Sequence, residues 1–533
     1  MRTIKYISTL LLFLGLGFGN IQAQNFNFGK ESIQLFTDRT LFVCGESIQY
    51  YALLKNQTNQ SKILYVELIL PDGTSLVSQK NIVSDKHSVG ELEIPQSLLT
   101  GTYYLKAYTK YMRNFGATSF EYVPIKIVNP YSKEFLNGID KPIFDTISSV
   151  NTPLIESEST DGINYKITLN TKELQYLKQG SISIIPSNSF QISNFNIENN
   201  STYSQKYYPE TRGLSLSGQL LDSISKEPLA FKEITLSIID QKNFIPNLSK
   251  IDGRFYFSLP EIKGNYDLFI STKKEEGVHP MILVDRDYDT EIIDLPNPPF
   301  KLSSQERLTV LKLAQTLQIK RNYFTKIGIQ KLDTFLTPFY GKPNNILYLD
   351  KYINMGTLEE YFTELPGLVS IKNHKNKKSF SIFSTLHDMS VYSPLVLIDM
   401  VAVEDYNRIL AVSPLGIEKV DIIPFPYVYG DFIYGGIISI RTRKGDFGGI
   451  SLPKTGLFFN FDFIQDKVDN QNSGKLNRIP DTRNTLFWKV FSLENESSLE
   501  ITFKKASSYK DYWIIIQGID KNQNIIIKKY KLK

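Results

Sequence analysis

Short apolar runs separated by turn residues recur along most of the chain and predict a protein built mainly from β-strands. Within 34–130, apolar and polar side chains alternate over 64–70, 90–94, 102–108 and 122–128. Pro71-Asp72-Gly73 and Gly101 provide turns between them. This spacing is typical of packed antiparallel sheets, so we predict one β-sandwich here. Further strands are predicted at 165–169, 181–186, 234–238 and 266–271, and after residue 485.

One stretch, 303–325, has the pattern of a helix. Its leucines recur at helical intervals, and Ser303 and Glu306 have the spacing of a capping box. We predict an amphipathic helix whose apolar stripe packs on its own domain, and binding to a partner is the alternative. The leucines of this stripe are Leu308, Leu311, Leu313 and Leu317.

A third pattern occupies 358–449. Short apolar runs at 395–399, 420–423 and 437–440 are separated by Gly, Pro and Asp, as expected for buried strands joined by tight turns. A polar stretch at 373–388 is predicted to be a solvent-exposed loop. The segment therefore predicts a compact unit that contains short buried strands.

Composition and charge narrow the class of protein. The 533 residues are long for one domain, and three to five units are expected. Charged residues make up 22%, and 31 Tyr and 34 Phe suit folded, β-rich extracytoplasmic modules. The net charge of +5, from 60 basic and 55 acidic side chains, comes without a basic stripe. Nucleic-acid binding is therefore not expected.

The first residues have the pattern of a secretory signal. Arg2 and Lys5 precede an apolar run over 7–18, and Ile21-Gln22-Ala23 offers a cleavage site before Gln24. The run is too short for a confident transmembrane helix, and an uncleaved anchor is the alternative. We predict an exported protein, soluble or peripherally attached, without a span of its own after cleavage.

Four separated pieces of 358–449 resemble the plug domain of TonB-dependent outer-membrane receptors, especially the Bacteroidetes starch-utilisation type. They occur in the family's order, although Met400 stands where the family has Gly. The pieces are Leu365-Pro366-Gly367, 394–399, Ile417-Glu418-Lys419-Val420, and Tyr429-Gly430 through Gly445. A receptor barrel has about 22 strands of about 9 to 11 residues. Only 84 residues follow residue 449, so we expect a plug-like fold without a transmembrane barrel of its own.

The segments 37–54 and 100–112 resemble the second macroglobulin-type domain, through Thr37-Asp38-Arg39 and Gly45-Glu46. The reactive thioester of the macroglobulin family forms from the Cys and Gln of a CGEQ motif. Here Ser47 follows Cys44-Gly45-Glu46 and has no acyl group to donate. We therefore interpret Cys44 as a small buried hydrophobic residue, and as the single cysteine it forms no intrachain disulfide.

Two later regions also carry resemblances. Residues 213–293, with Pro228-Leu229-Ala230 and Asp252-Gly253-Arg254-Phe255, resemble the carboxypeptidase regulatory-like domain, a small β-sandwich without peptidase activity. The end of the chain, from Thr485, resembles the ending of Bacteroidetes proteins that combine a macroglobulin-like with a plug-like domain. A sorting module of type IX secretion is the alternative, although its proline-rich entry motif is missing.

No catalytic, cofactor-binding or metal-binding constellation is predicted. The histidines lack metal-ligand spacing, and nucleophile-elbow, P-loop and dinucleotide motifs are missing. Asp399 and Asp405 are interpreted as turn residues rather than as paired catalytic acids. The four histidines are His87, His279, His374 and His387.

The predicted fold is mainly β and multi-domain, with immunoglobulin-like or macroglobulin-type β-sandwiches and a small α/β plug-like domain. The predicted division is a signal peptide (1–23), a macroglobulin-type sandwich (24–130), a linker and reduced sandwich (131–212), a carboxypeptidase regulatory-like sandwich (213–295), a helix and connection (296–340), a plug-like domain (341–450) and a C-terminal β domain (451–533).

The expected function is non-enzymatic and needs no cofactor or metal. The resemblances imply a cell-envelope binding or scaffold protein, in the periplasm or associated with the outer membrane or at the cell surface, whose plug-like domain docks on an outer-membrane channel or on a transport or secretion complex. The alternative is an accessory subunit of a TonB-dependent nutrient-uptake receptor. No TonB-contact segment is recognisable near 24–30, which favours the scaffold.

Overall fold

The computed structural model describes residues 29–532, apart from 56–60, 139–154, 161–163, 170–176, 192–196, 198–202, 205, 324–336, 365–366, 375–376, 384–390, 466–480, 493–498, 505–508, 510 and 521. The predicted signal peptide, Leu365-Pro366 and His387 lie outside the described residues. No helix among the described residues has the length and apolar composition needed to cross a membrane.

The prediction of a mainly β, multi-domain chain is confirmed. The three α-helices of the described residues are α1 (Ser304–Tyr323), α2 (Leu358–Glu364) and α3 (Tyr406–Leu410), and short 3-10 turns cover Lys110–Phe115, Ala117–Ser119, Leu349–Lys351, Pro414–Gly416 and Phe447–Gly449. The strands are β1 (Ile33–Thr37), β2 (Leu41–Val43), β3 (Ser47–Leu54), β4 (Ile63–Ile69), β5 (Ser75–Ile82), β6 (His87–Glu93), β7 (Gly101–Tyr108), β8 (Glu121–Val128), β9 (Ile155–Thr160), β10 (Asn164–Leu169), β11 (Leu177–Pro186), β12 (Ser215–Asp222), β13 (Glu233–Ile238), β14 (Asn243–Leu248), β15 (Arg254–Ser258), β16 (Asn265–Thr272), β17 (Pro280–Val284), β18 (Asn345–Tyr348), β19 (Val369–His374), β20 (Lys377–Ile382), β21 (Leu395–Ile398), β22 (Val401–Ala402), β23 (Ile417–Ile423), β24 (Tyr427–Tyr429), β25 (Phe432–Tyr434), β26 (Ile437–Thr442), β27 (Leu457–Asp462), β28 (Phe487–Ser492), β29 (Leu499–Lys504), β30 (Tyr512–Asp520) and β31 (Ile525–Leu532).

The first sandwich packs the sheet β1-β3-β6 against the sheet β2-β8-β7-β4-β5. Four of its strands, β4, β6, β7 and β8, coincide with the predicted alternating segments. β4 and β7 are buried along their whole length. The residues that follow β17 run alongside this sheet, where Leu295 N donates to Pro71 O (2.9 Å) and Asp289 N to Tyr108 Oη (2.8 Å).

The second sandwich is assembled from two distant parts of the chain. Its sheets are β29-β10-β9 and β28-β11-β30-β31. The sequence division assigns β9–β11 to 131–212 and β28–β31 to 451–533, whereas in the structure β11 lies hydrogen-bonded between β28 and β30. Their inward apolar residues share one core, and neither part buries that core alone.

The third sandwich consists of the sheets β15-β12-β17 and β14-β13-β16-β27. β27, which follows β26 in the chain, pairs with β16. Buried charges in the segment after β17 join this sandwich to the first one. Lys106 Nζ lies 2.9 Å from Glu67 Oε1 and 3.5 Å from Asp289 Oδ2, and fully buried Lys80 pairs with Asp287. Buried charges are costly without partners, so this joint favours one relative orientation of the two sandwiches.

The predicted helix forms as α1, and its capping box is confirmed. Ser303 N donates to Glu306 Oε2 (2.7 Å), and Glu306 N donates to Ser303 Oγ (3.1 Å). Leu313 and Leu317 pack in the core of the second sandwich. The prediction is wrong for Leu308 and Leu311, which are exposed, because Val310, Leu313 and Leu317 form the inward stripe at helical spacing and the other two leucines lie off it.

Residues 337–450 form a mixed α/β unit around the sheet β18-β23-β26-β21-β22, in which β21 and β26 are parallel. α2, α3 and the hairpin β19–β20 pack on one face. The prediction of a polar loop at 373–388 is wrong for β20, because Phe380 and Ile382 alternate inward between polar residues. The opposite face contacts Phe244 of the third sandwich.

Candidate functional site

Exposed apolar side chains are frequent on the α/β unit. Of the 25 large apolar side chains that are exposed among the described residues, ten lie in this unit. Exposed apolar groups that gather on one module are a feature of interaction surfaces. The ten are Ile346, Tyr348, Tyr352, Ile353, Phe383, Val391, Tyr392, Leu415, Val428 and Ile433.

The hairpin β24–β25 displays two of these residues as a cross-strand pair. Val428 is directly opposite Ile433, and they are 67% and 45% exposed. Side chains alternate along a strand, so the neighbouring aromatic residues point to the other face. There Tyr429 stacks on Phe339 at 5.6 Å between ring centroids. The aromatic face thus anchors the hairpin and leaves the aliphatic pair in solvent.

Direct contacts fix the hairpin and the five-stranded sheet beside it to the third sandwich. Tyr434 Oη donates to Glu233 Oε1 at 3.1 Å, and Ser237 Oγ donates to Met400 O at 2.9 Å. Burial, with the Glu233 carboxylate beside it, raises the pKa of Tyr434, so the phenol stays a neutral donor. The exposed pair is consequently presented from a supported element.

The edge of the five-stranded sheet of the α/β unit offers backbone as well as side chains. β18 pairs with β23 and is the outermost strand of this sheet in the described part of the chain. Ile346 and Tyr348 point to the same face and are exposed. An edge strand of this kind can accept an extended segment of another chain.

Asp399, one of the two aspartates considered as paired catalytic acids, makes hydrogen bonds that hold the backbone in place. Its Oδ1 accepts from Thr442 N (2.8 Å), and its Oδ2 accepts from Thr442 Oγ1 (2.6 Å) and Phe447 N (2.9 Å). These bonds tie the end of β21 to the end of β26. Asp405 lies before α3 and pairs with Arg408 at 3.1 Å. The interpretation of Asp399 as a turn residue agrees with this geometry.

Cys44 is completely buried, and its Sγ lies 3.4 Å from Leu98 O. Burial raises the pKa of this thiol to about 11, which suppresses the reactive thiolate. The interpretation of Cys44 as a packing residue agrees with this environment.

The described histidines lie apart from one another. His87 Nδ1 lies 3.3 Å from Asp85 O, His279 N donates to Asp222 Oδ2, and His374 ends β19 in solvent. No group of three or more His, Cys, Asp or Glu side chains within the described ranges could hold a metal ion.

A cleft of about 450 Å³ opens between the first and third sandwiches. Its floor is aliphatic, and its rim carries two cations and two anions, Lys62, Arg212, Asp85 and Glu261. The residues that line this cleft include no Cys or His, so they do not pair a nucleophile with a general base. Their positive and negative charges are equal in number, so the cleft does not favour a ligand of either charge. The α/β surface is therefore the stronger candidate.

Sequence reasoning did not single out the Val428/Ile433 pair. The segment Tyr427-Val428-Tyr429-Gly430-Asp431-Phe432-Ile433-Tyr434 alternates aromatic and aliphatic residues around a Gly-Asp turn, which is a recognisable hairpin signal. The alternation separates two faces, but it does not tell which of them is covered.

Comparisons with known proteins give no family assignment. No protein-family model matches the chain, and no curated protein matches it. Among solved structures, trypsin-activated alpha-2-macroglobulin from Escherichia coli is 10% identical with a TM-score of 0.22, covering 94% of this chain and 41% of its own. The form activated by porcine elastase is 10% identical with a TM-score of 0.23, and the match covers 94% of this chain and 43% of that one. The Y1175G mutant of Salmonella alpha-2-macroglobulin is 9% identical with a TM-score of 0.23, and the match covers 96% of this chain and 40% of that one.

The chain spans about two fifths of the length of those structures. TM-scores this low support no argument about function, and the resemblances noted for the sequence remain predictions.

Proposed function

We propose that this chain is an exported, non-enzymatic scaffold of the bacterial envelope, and that its α/β unit docks on an outer-membrane channel or on a transport or secretion complex. The observation that carries the proposal is the exposed pair Val428 and Ile433, on a hairpin whose opposite, aromatic face packs against Phe339. The plug-like sequence pattern of 358–449 supports the choice of an outer-membrane partner.

Docking through this hairpin has a simple driving force. Burying apolar surface releases roughly 25 cal/mol per Å², and Val428 and Ile433 expose such surface in the free protein. The supporting contact from Tyr434 to Glu233 limits the entropy lost on binding, since the hairpin is already held. The edge of β18 adds backbone groups that a partner strand can pair with.

The sandwiches have a separate role in this proposal. They form the arms that carry the α/β unit, and the first and third sandwiches are joined by buried ion pairs such as Lys106 with Asp289. Such joints resist reorientation, because separating a buried pair leaves an uncompensated charge. A scaffold that holds a docking module at a defined distance from its other surfaces needs this property.

Site-specific photo-crosslinking tests the proposal. A photoreactive amino acid at Val428 is expected to yield a covalent adduct with an outer-membrane protein in intact cells. The same probe at Ile292, an exposed residue outside the α/β unit, is the matched control and should not yield that adduct. Adducts at neither position, or equal adducts at both, would contradict docking through the hairpin.

The double variant Val428→Ser/Ile433→Ser should weaken co-purification of the crosslinked protein, and Ile292→Ser should leave it unchanged. If the double variant also abolished uptake of a nutrient through that channel, the result would favour the uptake-subunit alternative over the scaffold.

A further inference from the structure

Three loops meet at one end of the third sandwich. β12, β14 and β16 all end there, so the connections 223–232, 249–253 and 273–279 lie side by side. A hydrogen bond from Phe231 N to Ser249 O (2.9 Å) joins the first two. The β12 register with β17 brings the third beside them, where Ser223 N donates to His279 O (2.7 Å).

Large apolar side chains project from these loops into solvent. Ile224 is 72% exposed, Phe231 67% and Ile251 77%. Phe231 also has a left-handed backbone, with φ of 54°. That conformation is unfavourable for a bulky residue, and its exposed ring gains no burial in return. Folding alone therefore does not account for an aromatic residue at this position.

Specific hydrogen bonds hold the projecting residues in place. The Asp222 carboxylate accepts from Ile224 N (2.9 Å), Ser225 N (3.0 Å) and His279 N (2.9 Å). Buried Ser249 binds the other loop, since its Oγ accepts from Lys232 N (2.9 Å) and donates to Leu229 O (2.6 Å). Ile224, Phe231 and Ile251, which we call the apolar tips, therefore lie on loops that hydrogen bonds hold in place.

Basic and acidic side chains are mixed around the apolar tips, so this end of the sandwich has little net charge. The three loops contain five lysines and four acidic residues. Such a mixture does not select an anionic partner by electrostatics. The lysines are Lys226, Lys232, Lys250, Lys273 and Lys274, and the acids are Glu227, Asp252, Glu275 and Glu276.

We propose that this end of the third sandwich binds a lipid bilayer by inserting Ile224, Phe231 and Ile251 into the boundary between headgroups and acyl chains. Separate apolar tips with charged residues between them suit this layer, where each tip is buried and each ammonium stays among the headgroups. A protein partner is disfavoured because the cores of protein interfaces are depleted of charged residues, whereas charged residues separate the apolar side chains here.

Vesicle co-sedimentation of the full chain tests the proposal. Vesicles of phosphatidylethanolamine and phosphatidylglycerol should bind the protein, and added salt should change the binding little because the loops are nearly neutral. The variant Ile224→Ser/Phe231→Ser/Ile251→Ser should lose at least about tenfold in binding. The control Ile292→Ser/Leu308→Ser/Leu311→Ser removes three similarly exposed side chains outside both this end and the α/β unit, and it should bind like the wild type.

A second measurement does not depend on losing a tip. Phe231→Trp keeps the aromatic group, and its fluorescence should be quenched by brominated acyl chains, whereas that of Ile292→Trp should not. The proposal is overturned if the wild type does not sediment, if both triple variants behave alike, if salt abolishes binding, or if position 231 is not quenched. Loss of the Val428 crosslink with vesicle binding intact would affect only the docking function.

Discussion

Arg39 Nε lies 3.1 Å from Thr485 Oγ1, although the two residues are 446 positions apart in the chain. Arg39 Nη2 also binds Glu46 Oε1 at 2.9 Å, and Arg39 Nε lies 3.3 Å from Asp38 Oδ2. Asn484 Nδ2 donates to the same Glu46 oxygen. This buried network joins the first sandwich to the second.

We expect Arg39→Met to lower the free energy of unfolding by about 3 to 5 kcal/mol, because it leaves Asp38 and Glu46 buried without their cation. Urea unfolding followed by tryptophan fluorescence measures the change, since Trp488 and Trp513 both lie in the second sandwich. Arg408→Met is the matched control. Its pair with Asp405 is half exposed, so it should cost less than about 1 kcal/mol, and equal losses would contradict the prediction.

The network shows what a sequence can and cannot predict. The strands containing Tyr104 and Leu64, and the cap of Ser303 with Glu306, depend on neighbours in the chain and were predicted within a few residues. The meeting of Arg39 with Thr485 depends on two strand sets folding together, and no local spacing encodes it. The candidate surface is intermediate, because alternation reveals the two faces around Val428 but not which one is covered.

The turn after β21 places Met400 in a glycine-like conformation. Asp399 and Met400 have φ of 44° and 69°, which is the two-residue hairpin turn that favours Gly at its second position. Met400→Val should therefore destabilise the protein by about 1 to 2 kcal/mol, since a β-branched residue fits this region poorly.

Met400→Gly should stay within about 1 kcal/mol of the wild type, because relief of strain offsets the lost side-chain contacts. Met281→Val is the control, since Met281 lies in β17, where β-branched residues are favoured. Thermal or urea unfolding of the three variants measures these changes in stability. A tolerated Met400→Val would mean that the left-handed turn is not formed in solution.

Cys44 should react slowly with a thiol reagent in the native protein. Its pKa of about 11 reduces the thiolate fraction about a hundredfold relative to a free cysteine, and burial blocks access further. The chain unfolded in urea is the control and should react at the rate of a free thiol. Cys44→Ser should leave partner binding intact, and a covalent adduct that this variant loses would instead revive the thioester hypothesis.

The Glu121 carboxyl gives the first sandwich a pH-dependent component of stability. Burial raises the pKa of Glu121 to about 7, against an opposing effect of Lys55, and its Oε1 accepts from Gln34 Nε2 at 2.8 Å. Between about pH 4.5 and 7 the folded protein holds this proton and the unfolded chain releases it. The contribution of this group to stability is therefore greatest below pH 4.5 and is lost as the pH rises through 7.

Glu121→Gln keeps an acceptor for Gln34 and cannot ionise. We expect it to raise the free energy of unfolding above pH 7 by up to about 3 kcal/mol, since each pKa unit corresponds to about 1.4 kcal/mol. Near pH 4 it should have little effect. Urea unfolding at several pH values gives the difference curve, and Glu276→Gln in an exposed loop should change stability by less than about 0.5 kcal/mol throughout. A difference between Glu121→Gln and the wild type that does not grow between pH 4.5 and 7 would show that this carboxyl is not desolvated in solution.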